Sequence, residues 1–265
     1  MNFIEETEKL KKQLNLEFPI VSQTTDEDKI VLLKLKNLMQ KLNSYSYLEI
    51  GTYLGGSLTP FVKDSNCKYI LSIDDRERAT PDERGNKINY LNIKEEKTIE
   101  NLKNYNLDIS KIDFFNGSIN EYKKIKHRFD LCFIDAEHTD VACFRDFIYS
   151  NKLVKNNAII AFHDSQVIYK ALIMINELLR SQKIKFKFIK IFNTSISLIL
   201  LNKFANIQVE DYFVIEKNLE KFYQSCEKKR LETSFRNRVK ISLNLSVEDM
   251  PIKNDKLTPK MIDNQ

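Results

Sequence analysis

Two aspartates and two histidines stand out in this chain as residues able to do chemistry: Asp135 and His138, three positions apart, and the adjacent pair His163-Asp164. Carboxylates and imidazoles brought together can hold a divalent ion, or can act as general acid and base. Each pair follows an apolar run, Phe129 to Ile134 for the first and Ala158 to Phe162 for the second. Three more polar positions share that placement. Glu49 and Gly51 close the run around Leu48, Asp74 closes Lys68 to Ile73, and Ser118 follows Ile112 to Phe115. If the five runs are strands of one parallel sheet, these groups meet at its carboxyl edge, where open α/β sheets bind ligands. The remaining histidine, His127, lies between Lys126 and Arg128 and reads as a surface residue.

The first strand end says most about a ligand. Of the five glycines in the chain, three fall in Tyr47-Leu48-Glu49-Ile50-Gly51-Thr52-Tyr53-Leu54-Gly55-Gly56-Ser57. Glycine is used where the backbone takes a positive φ or lets something approach closely, and a glycine turn between strand and helix suits a nucleotide-type ligand. The order Gly51, Gly55, Gly56 is not the G-x-G-x-x-G of a dinucleotide site, and no Gly-Lys-Ser/Thr follows. A carboxylate at Glu49 would repel a pyrophosphate seated on the next helix N-terminus. A phosphate-free, positively charged ligand suits it better, and S-adenosylmethionine, with a sulfonium and an ammonium, is one. Asp74 is then placed to accept from two ribose hydroxyls, with Asp75 as the neighbouring alternative.

The elements that must position these groups follow from periodicity. Residues 3–14 read as a polar helix, broken by Pro19 and by Ser22 to Thr25. Thr25-Asp26-Glu27-Asp28 reads as a helix cap with acids in the first turn, opening an amphipathic helix to about Lys41. Further helices are expected at Ser57 to Lys63, about 93–105, 141–151 and 166–181. Apolar runs alternating with helices imply a parallel sheet buried on both faces. Lys183 to Phe188 alternates with period two, and only Asn193-Thr194 stands before Ser195 to Leu201, so the sheet should end in an antiparallel hairpin. A long polar loop at 76–92 carries Arg76, Arg78 and Arg84, which could hold an anionic acceptor. Residues 211–235 read as helical, and the basic residues around Lys228 to Lys240 read as a solvated face.

With 265 residues, 42% hydrophobic content and 17 phenylalanines, the chain can bury a sizeable core. The net charge of +5, spread over 42 basic and 37 acidic residues, argues against nucleic acid as a partner. Cys67, Cys132, Cys143 and Cys226 are scattered with no C-x-x-C pair, and Cys132, in an apolar run, reads as a reduced, buried thiol. The acidic N-terminus has no signal-type apolar region and no run is long enough for a membrane span, so a cytoplasmic protein is expected.

Taken as a set, the segments Leu48 to Ser57, Ile73-Asp74, Gly117-Ser118, Phe133 to His138, Asp146-Phe147 and Ile160 to Ser165 are similar to those of class I S-adenosylmethionine-dependent methyltransferases. More narrowly, the chain resembles the Methyltransf_24 family, related to catechol-type and macrolide-sugar O-methyltransferases. The resemblance covers about residues 25–202. It implies a Rossmann-like three-layer α/β/α sandwich with a seven-stranded, mostly parallel sheet and an antiparallel terminal hairpin, followed here by a helical C-terminal extension. It places Glu49, Gly51, Thr52, Gly55 and Ser57 near the methionine part, Asp74 on the ribose and Ser118 near the adenine, with Asp135 also on the cofactor. It also suggests that Asp135 and Asp164 occupy metal-ligand positions, for Mg²⁺ or another divalent cation. Two departures are visible. Ser165 stands where catechol-type relatives carry asparagine, and Lys155-Asn156-Asn157 stands for a Pro-Gly-Gly-like turn.

The expectation is therefore an O-methyltransferase acting on a hydroxyl of a small molecule or sugar/glycan precursor, with Asp135, His138, His163 and Asp164 as catalytic candidates. Its expected segments are an N-terminal helical stretch (1–24), the cofactor-binding domain (25–203), a helical extension (204–247) and a disordered tail (248–265). The C-terminal helices are a candidate surface for a homo-oligomer. A non-catalytic S-adenosylmethionine-binding scaffold is the rival reading. A nicotinamide-dependent dehydrogenase is disfavoured by Glu49 and the glycine spacing. A nucleic-acid methyltransferase is disfavoured by the lack of an Asn-Pro-Pro-Tyr-like motif.

Overall fold

A run such as Phe129 to Ile134, apolar at nearly every position, has no solvent face to offer and must be covered on both sides. The computed structural model, which describes residues 3–76, 81–86, 93–124 and 127–242, resolves this with one central sheet between two helical layers. The strands are β1 (Tyr45–Ile50), β2 (Cys67–Asp74), β3 (Ile112–Asn116), β4 (Phe129–Ile134), β5 (Val154–Phe162), β6 (Phe186–Lys190) and β7 (Ser197–Leu201). The helices are α1 (Phe3–Glu17), α2 (Asp26–Met39), α3 (Thr59–Lys63), α4 (Glu95–Asn104), α5 (Asp140–Leu153), α6 (Tyr169–Ser181) and α7 (Leu219–Ser242). Strand order is β3-β2-β1-β4-β5-β7-β6. The five strands from β3 to β5 run parallel, and β7 pairs antiparallel with both β5 and β6.

The expected seven-stranded sheet and its terminal hairpin are both present. β1 lies between β2 and β4, at the point where the strand order reverses, and this is where an open α/β sheet forms its crevice. Side chains alternate along β1: Tyr45 and Tyr47 join the core under α1, α2 and α3, while Leu48 and Ile50 join the core under α5 and α6. Leu10 and Leu14 of α1, and Val209 and Phe213 after the hairpin, belong to the first of these cores.

Two expectations are corrected. The Lys155-Asn156-Asn157 turn is extended backbone inside β5, with a register shift opposite Phe129 to Leu131, and Lys155 Nζ reaches Asp130 Oδ2 at 2.8 Å. A bulge that pairs one lysine with a buried aspartate needs no left-handed residue. The last helix begins at Leu219, eight residues beyond the expected start, because a short 3-10 turn at Val209–Asp211 and an extended stretch precede it. Arg78, much of the 76–92 loop and the 248–265 tail lie outside the described residues. No helix among the described residues is long and apolar enough to cross a membrane.

Candidate functional site

The carboxyl ends of the parallel strands are stitched together by backbone. Gly51 N donates to Ile73 O, Asp135 N to Ile50 O and His163 N to Ile134 O, at 2.8, 2.8 and 3.0 Å. The chain can come this close at β1 only because residue 51 is glycine. It sits at φ +90°, and a Cβ there would lie 1.9 Å from the Asp135 carbonyl oxygen. Tyr53 follows at φ +51°, a left-handed conformation unusual for an aromatic residue, and its N–H donates to Asp74 Oδ2 at 2.7 Å. The strained turn thus aims the Asp74 carboxylate, which also faces Arg76 Nη2 at 3.4 Å. Burial raises the Asp74 carboxyl above its ordinary range despite the opposing Arg76 charge and Tyr53 hydrogen bond.

A cavity opens over this edge. Of the expected cofactor residues, Gly51, Thr52, Ser57, Asp74, Ser118 and Asp135 line it, and so does His138. Thr52 and Ser72 share a 2.7 Å hydroxyl hydrogen bond, and the Ser118 hydroxyl donates to Asn120 Oδ1 at 2.5 Å. Glu49 does not line the cavity. Its side chain lies on the Tyr47 face of β1 and is 0% exposed. Tyr47 Oη donates to one carboxyl oxygen at 2.5 Å and Ser57 Oγ to the other at 2.7 Å. Burial pushes its pKa up to about 8, so near neutrality it is mostly the uncharged acid and not the free carboxylate that the ligand argument assumed. Gly55 is also off the cavity and faces Thr98 and Leu102 of α4.

The four catalytic candidates do converge. His138 Nε2 lies 3.1 Å from Asp164 Oδ2 and 3.6 Å from Asp135 Oδ1. His163 Nδ1 lies 3.1 Å from Asp135 Oδ1 and 3.2 Å from Asp164 Oδ2. Asp164 adopts φ +48°, the left-handed turn that separates β5 from α6 and lets its carboxylate face back toward β4. The two histidines differ in access. His138 is a cavity residue, whereas His163 is buried behind it and has both ring nitrogens against carboxylates, Nε2 being 3.2 Å from Asp28 Oδ2. Burial opposes a charge on either ring, but Asp135 and Asp164 outweigh it and raise both histidines above their ordinary value. Desolvation opposes a charge on the half-buried Asp164, yet His138 and His163 outweigh it and hold the carboxyl well below its usual range.

Asp135, His138 and Asp164 offer one donor atom each within 4.8 Å of one another. Donors around an ion about 2.1 Å away stand roughly 3 Å apart along an octahedral edge, so separations of this size suit a divalent cation. Ser165 does not join them. It is fully buried, and its hydroxyl donates to Ser195 O at 2.8 Å. His138 supplies the third donor in its place.

Several site residues escaped sequence reading. Val21, Ser22 and Gln23 line the cavity from the N-terminal side, and residue 56 must be glycine for them to do so, since a Cβ there would meet Val21 O at 2.6 Å. Glu137, Arg145 and Asp146 form another wall, with Arg145 Nε 2.9 Å from Asp146 Oδ1 and the Asp146 carboxyl pushed up to about 6 by burial. Asp82, also on the cavity, ties its own turn through the Arg84 and Asn86 N–H groups at 2.7 and 3.0 Å. Two of the three expected arginines are engaged within the protein: Arg84 grips Asp82, and Arg76 lies beside Asp74 and Thr98. Asp28 carried only a helix-cap signal, and its partner His163 is 135 positions away, so nothing local could have linked the two.

Residues 48–165 match the model of a family described as Methyltransferase domain, Methyltransf_24. No curated protein matches the chain. Among solved structures, the chain is similar to the O-methyltransferase NovP, with a TM-score of 0.54 at 12% identity over 76% of this chain and 100% of that one. It is also similar to the O-methyltransferase TomG of Streptomyces achromogenes, with a TM-score of 0.50 at 14% identity over 75% of this chain and 90% of that one. At such identities these two likenesses speak for the fold, and the sequence match over 48–165 speaks for the domain.

Proposed function

We infer that this chain, which carries a methyltransferase domain at residues 48–165 on a Rossmann-like sheet, is an S-adenosylmethionine-dependent methyltransferase that methylates a hydroxyl oxygen of a small-molecule acceptor. The observation that carries this reading is one cavity lined by both sets of groups: Asp74 and residues of the 51–57 turn, together with Asp135 and His138. TomG, of the same fold, was crystallised with S-adenosylmethionine and takes part in tomaymycin synthesis, which suits a small-molecule acceptor.

In this reading Asp74 accepts from the ribose hydroxyls, the backbone at Gly117-Ser118 borders the adenine, and Gly51, Thr52 and Ser57 flank the methionine moiety. The sulfonium already activates the methyl group, so the protein's task is alignment and proton removal. The acceptor oxygen attacks the methyl carbon, the carbon–sulfur bond breaks, and its electron pair returns to sulfur to leave a neutral thioether. The acceptor proton goes to His138, the one candidate base that reaches the cavity. The flanking aspartates that raise His138 make it a stronger proton acceptor and favour the imidazolium formed on transfer. In the alternative arrangement Asp135, His138 and Asp164 would hold a divalent cation, which would acidify the acceptor hydroxyl in place of proton transfer to a free His138.

Calorimetric titration with S-adenosylmethionine is the direct test, followed by S-adenosylhomocysteine release against a panel of hydroxylated acceptors. Absence of binding both with and without Mg²⁺ would remove the reading. Turnover insensitive to a chelator would remove the cation alone.

A further inference from the structure

Asp28 does more than a helix cap requires. It is 0% exposed, although it sits in the first turn of α2, where an acid normally meets water. The capping box uses Oδ2, which accepts from Thr25 N at 3.4 Å and also from Thr25 Oγ1 at 2.7 Å. Two further contacts have nothing to do with the helix. Oδ1 accepts from Ser195 N, in the turn before β7, at 2.7 Å, and Oδ2 lies 3.2 Å from His163 Nε2. His163 then reaches across with Nδ1 to Asp135 and Asp164. Phe133 stands edge-on to the imidazole with centroids 6.0 Å apart, so the ring is held by packing on one side and by carboxylates at both nitrogens.

We propose that Asp28 is a positioning residue of the active site: by holding His163 Nε2 it fixes the ring whose Nδ1 joins Asp135 to Asp164. The arrangement follows the outer-shell logic of ligand sites, in which an imidazole held at one nitrogen orients the groups bound at the other. It makes α2, which precedes the 48–165 domain, a working part of the site. Loss of the Asp28 carboxylate frees the ring to rotate, and the two aspartates then lose one of the two imidazoles they share.

The proposal rests on the methyl-transfer reading only for its consequence, so the test has an arm that needs neither cofactor nor acceptor. The chain has three histidines, and their ring nitrogens can be assigned in a long-range ¹H–¹⁵N spectrum with His127→Gln and His138→Gln variants. Wild type is expected to show a His163 Nε2 proton protected from exchange with water. Asp28→Ala loses it, while Thr25→Ala, which removes the cap partner but not the His163 contact, lowers Tm and leaves it in place. In a parallel Mn²⁺ titration, Asp28→Ala is expected to bind about 10- to 100-fold more weakly and Thr25→Ala as wild type does. An unprotected His163 proton in wild type overturns the proposal whatever the variants do, as does an unchanged one in Asp28→Ala. If wild type binds no Mn²⁺, the cation reading fails and the spectrum alone decides the role of Asp28.

Discussion

At the scale of single residues, position along a strand decides function more sharply than residue type. Glu49 and Asp74 are both acids at the carboxyl end of a parallel strand, yet Asp74 reaches the cavity and Glu49 is enclosed by Tyr47 and Ser57. A buried acid with a raised pKa makes a definite prediction. From its ordinary value of 4.5 up to about 8, the unfolded chain gives up the proton of Glu49 while the folded chain keeps it. Stability contributed at this position is therefore full at low pH and declines as pH rises through that window. Glu49→Gln, which keeps the shape and removes the titration, should match wild-type Tm near about pH 5 and exceed it by roughly a few degrees near about pH 8.5. Thermal unfolding across pH measures it, and a constant difference between the two proteins would show that Glu49 does not titrate in this range. His138 gives the complementary prediction for turnover. His138→Ala should lower kcat by about 10²-fold or more with the S-adenosylmethionine Kd nearly unchanged, because the side chain acts on the acceptor proton and not on the donor. A matching loss in Kd would move His138 from the acceptor side to the donor side. Sequence reading singled out the four residues that the structure brings together here but could not rank the two histidines. Both follow apolar strands, and only the packing of α2 against the end of β5 hides His163.

At the scale of elements, apolar runs were sufficient to place inner strands such as β4 and β7, since these are covered on both faces and leave little room for another reading. They fell short where pairing set the outcome. β5 starts at Val154 because that residue pairs with Phe129, a partner that hydrophobic pattern does not reveal. The glycine turn was legible as a turn, but the reason for it lies in another strand. Gly51→Ala would drive a Cβ into the Asp135 carbonyl, at φ +90°, and should cost about 3 kcal/mol or more, with donor binding lost. Chemical denaturation and calorimetry together would show it, and a folded variant with normal affinity would contradict the close approach. The last helix has a role its composition did not suggest. Arg230 of α7 pairs with Glu83 and, at 2.6 Å, with Asp140 at the start of α5. Asn237 donates to Arg84 O at 2.7 Å, so α7 fastens the 81–86 turn that brings Asp82 to the cavity. Arg230→Ala should speed amide exchange across 81–86 while leaving the sheet strands unchanged, since no strand residue depends on it.

At the scale of the whole molecule, the cavity is closed by segments from three separate parts of the chain. The 48–165 region supplies the strand ends, α7 secures one border through the 81–86 turn, and the N-terminal segment supplies Val21 to Gln23. None of the outer pieces carries a motif, because their contribution is a surface shaped to fit the others. The N-terminal piece is the more deeply committed of the two. Leu10, Leu14, Phe18 and Ile20 are buried in the same core as Tyr47 and Phe61, and Thr59 Oγ1 donates to Glu17 O at 2.6 Å. Burying each such aliphatic or aromatic side chain contributes about 1.5–3 kcal/mol before entropic costs. Removing residues 1–24 should therefore destabilise the protein and also uncover the cavity wall at Gly56. The two effects separate when ligand stabilisation is measured on each protein. Ligand at about 100 times Kd adds roughly 2.7 kcal/mol to a folded state that binds it. Wild type should show a corresponding rise in Tm with S-adenosylmethionine, and the truncated chain a smaller rise at the same ligand concentration. If the truncated chain has a lower starting Tm and an equal ligand-induced rise, residues 1–24 serve the core alone and the cavity does not need its N-terminal wall.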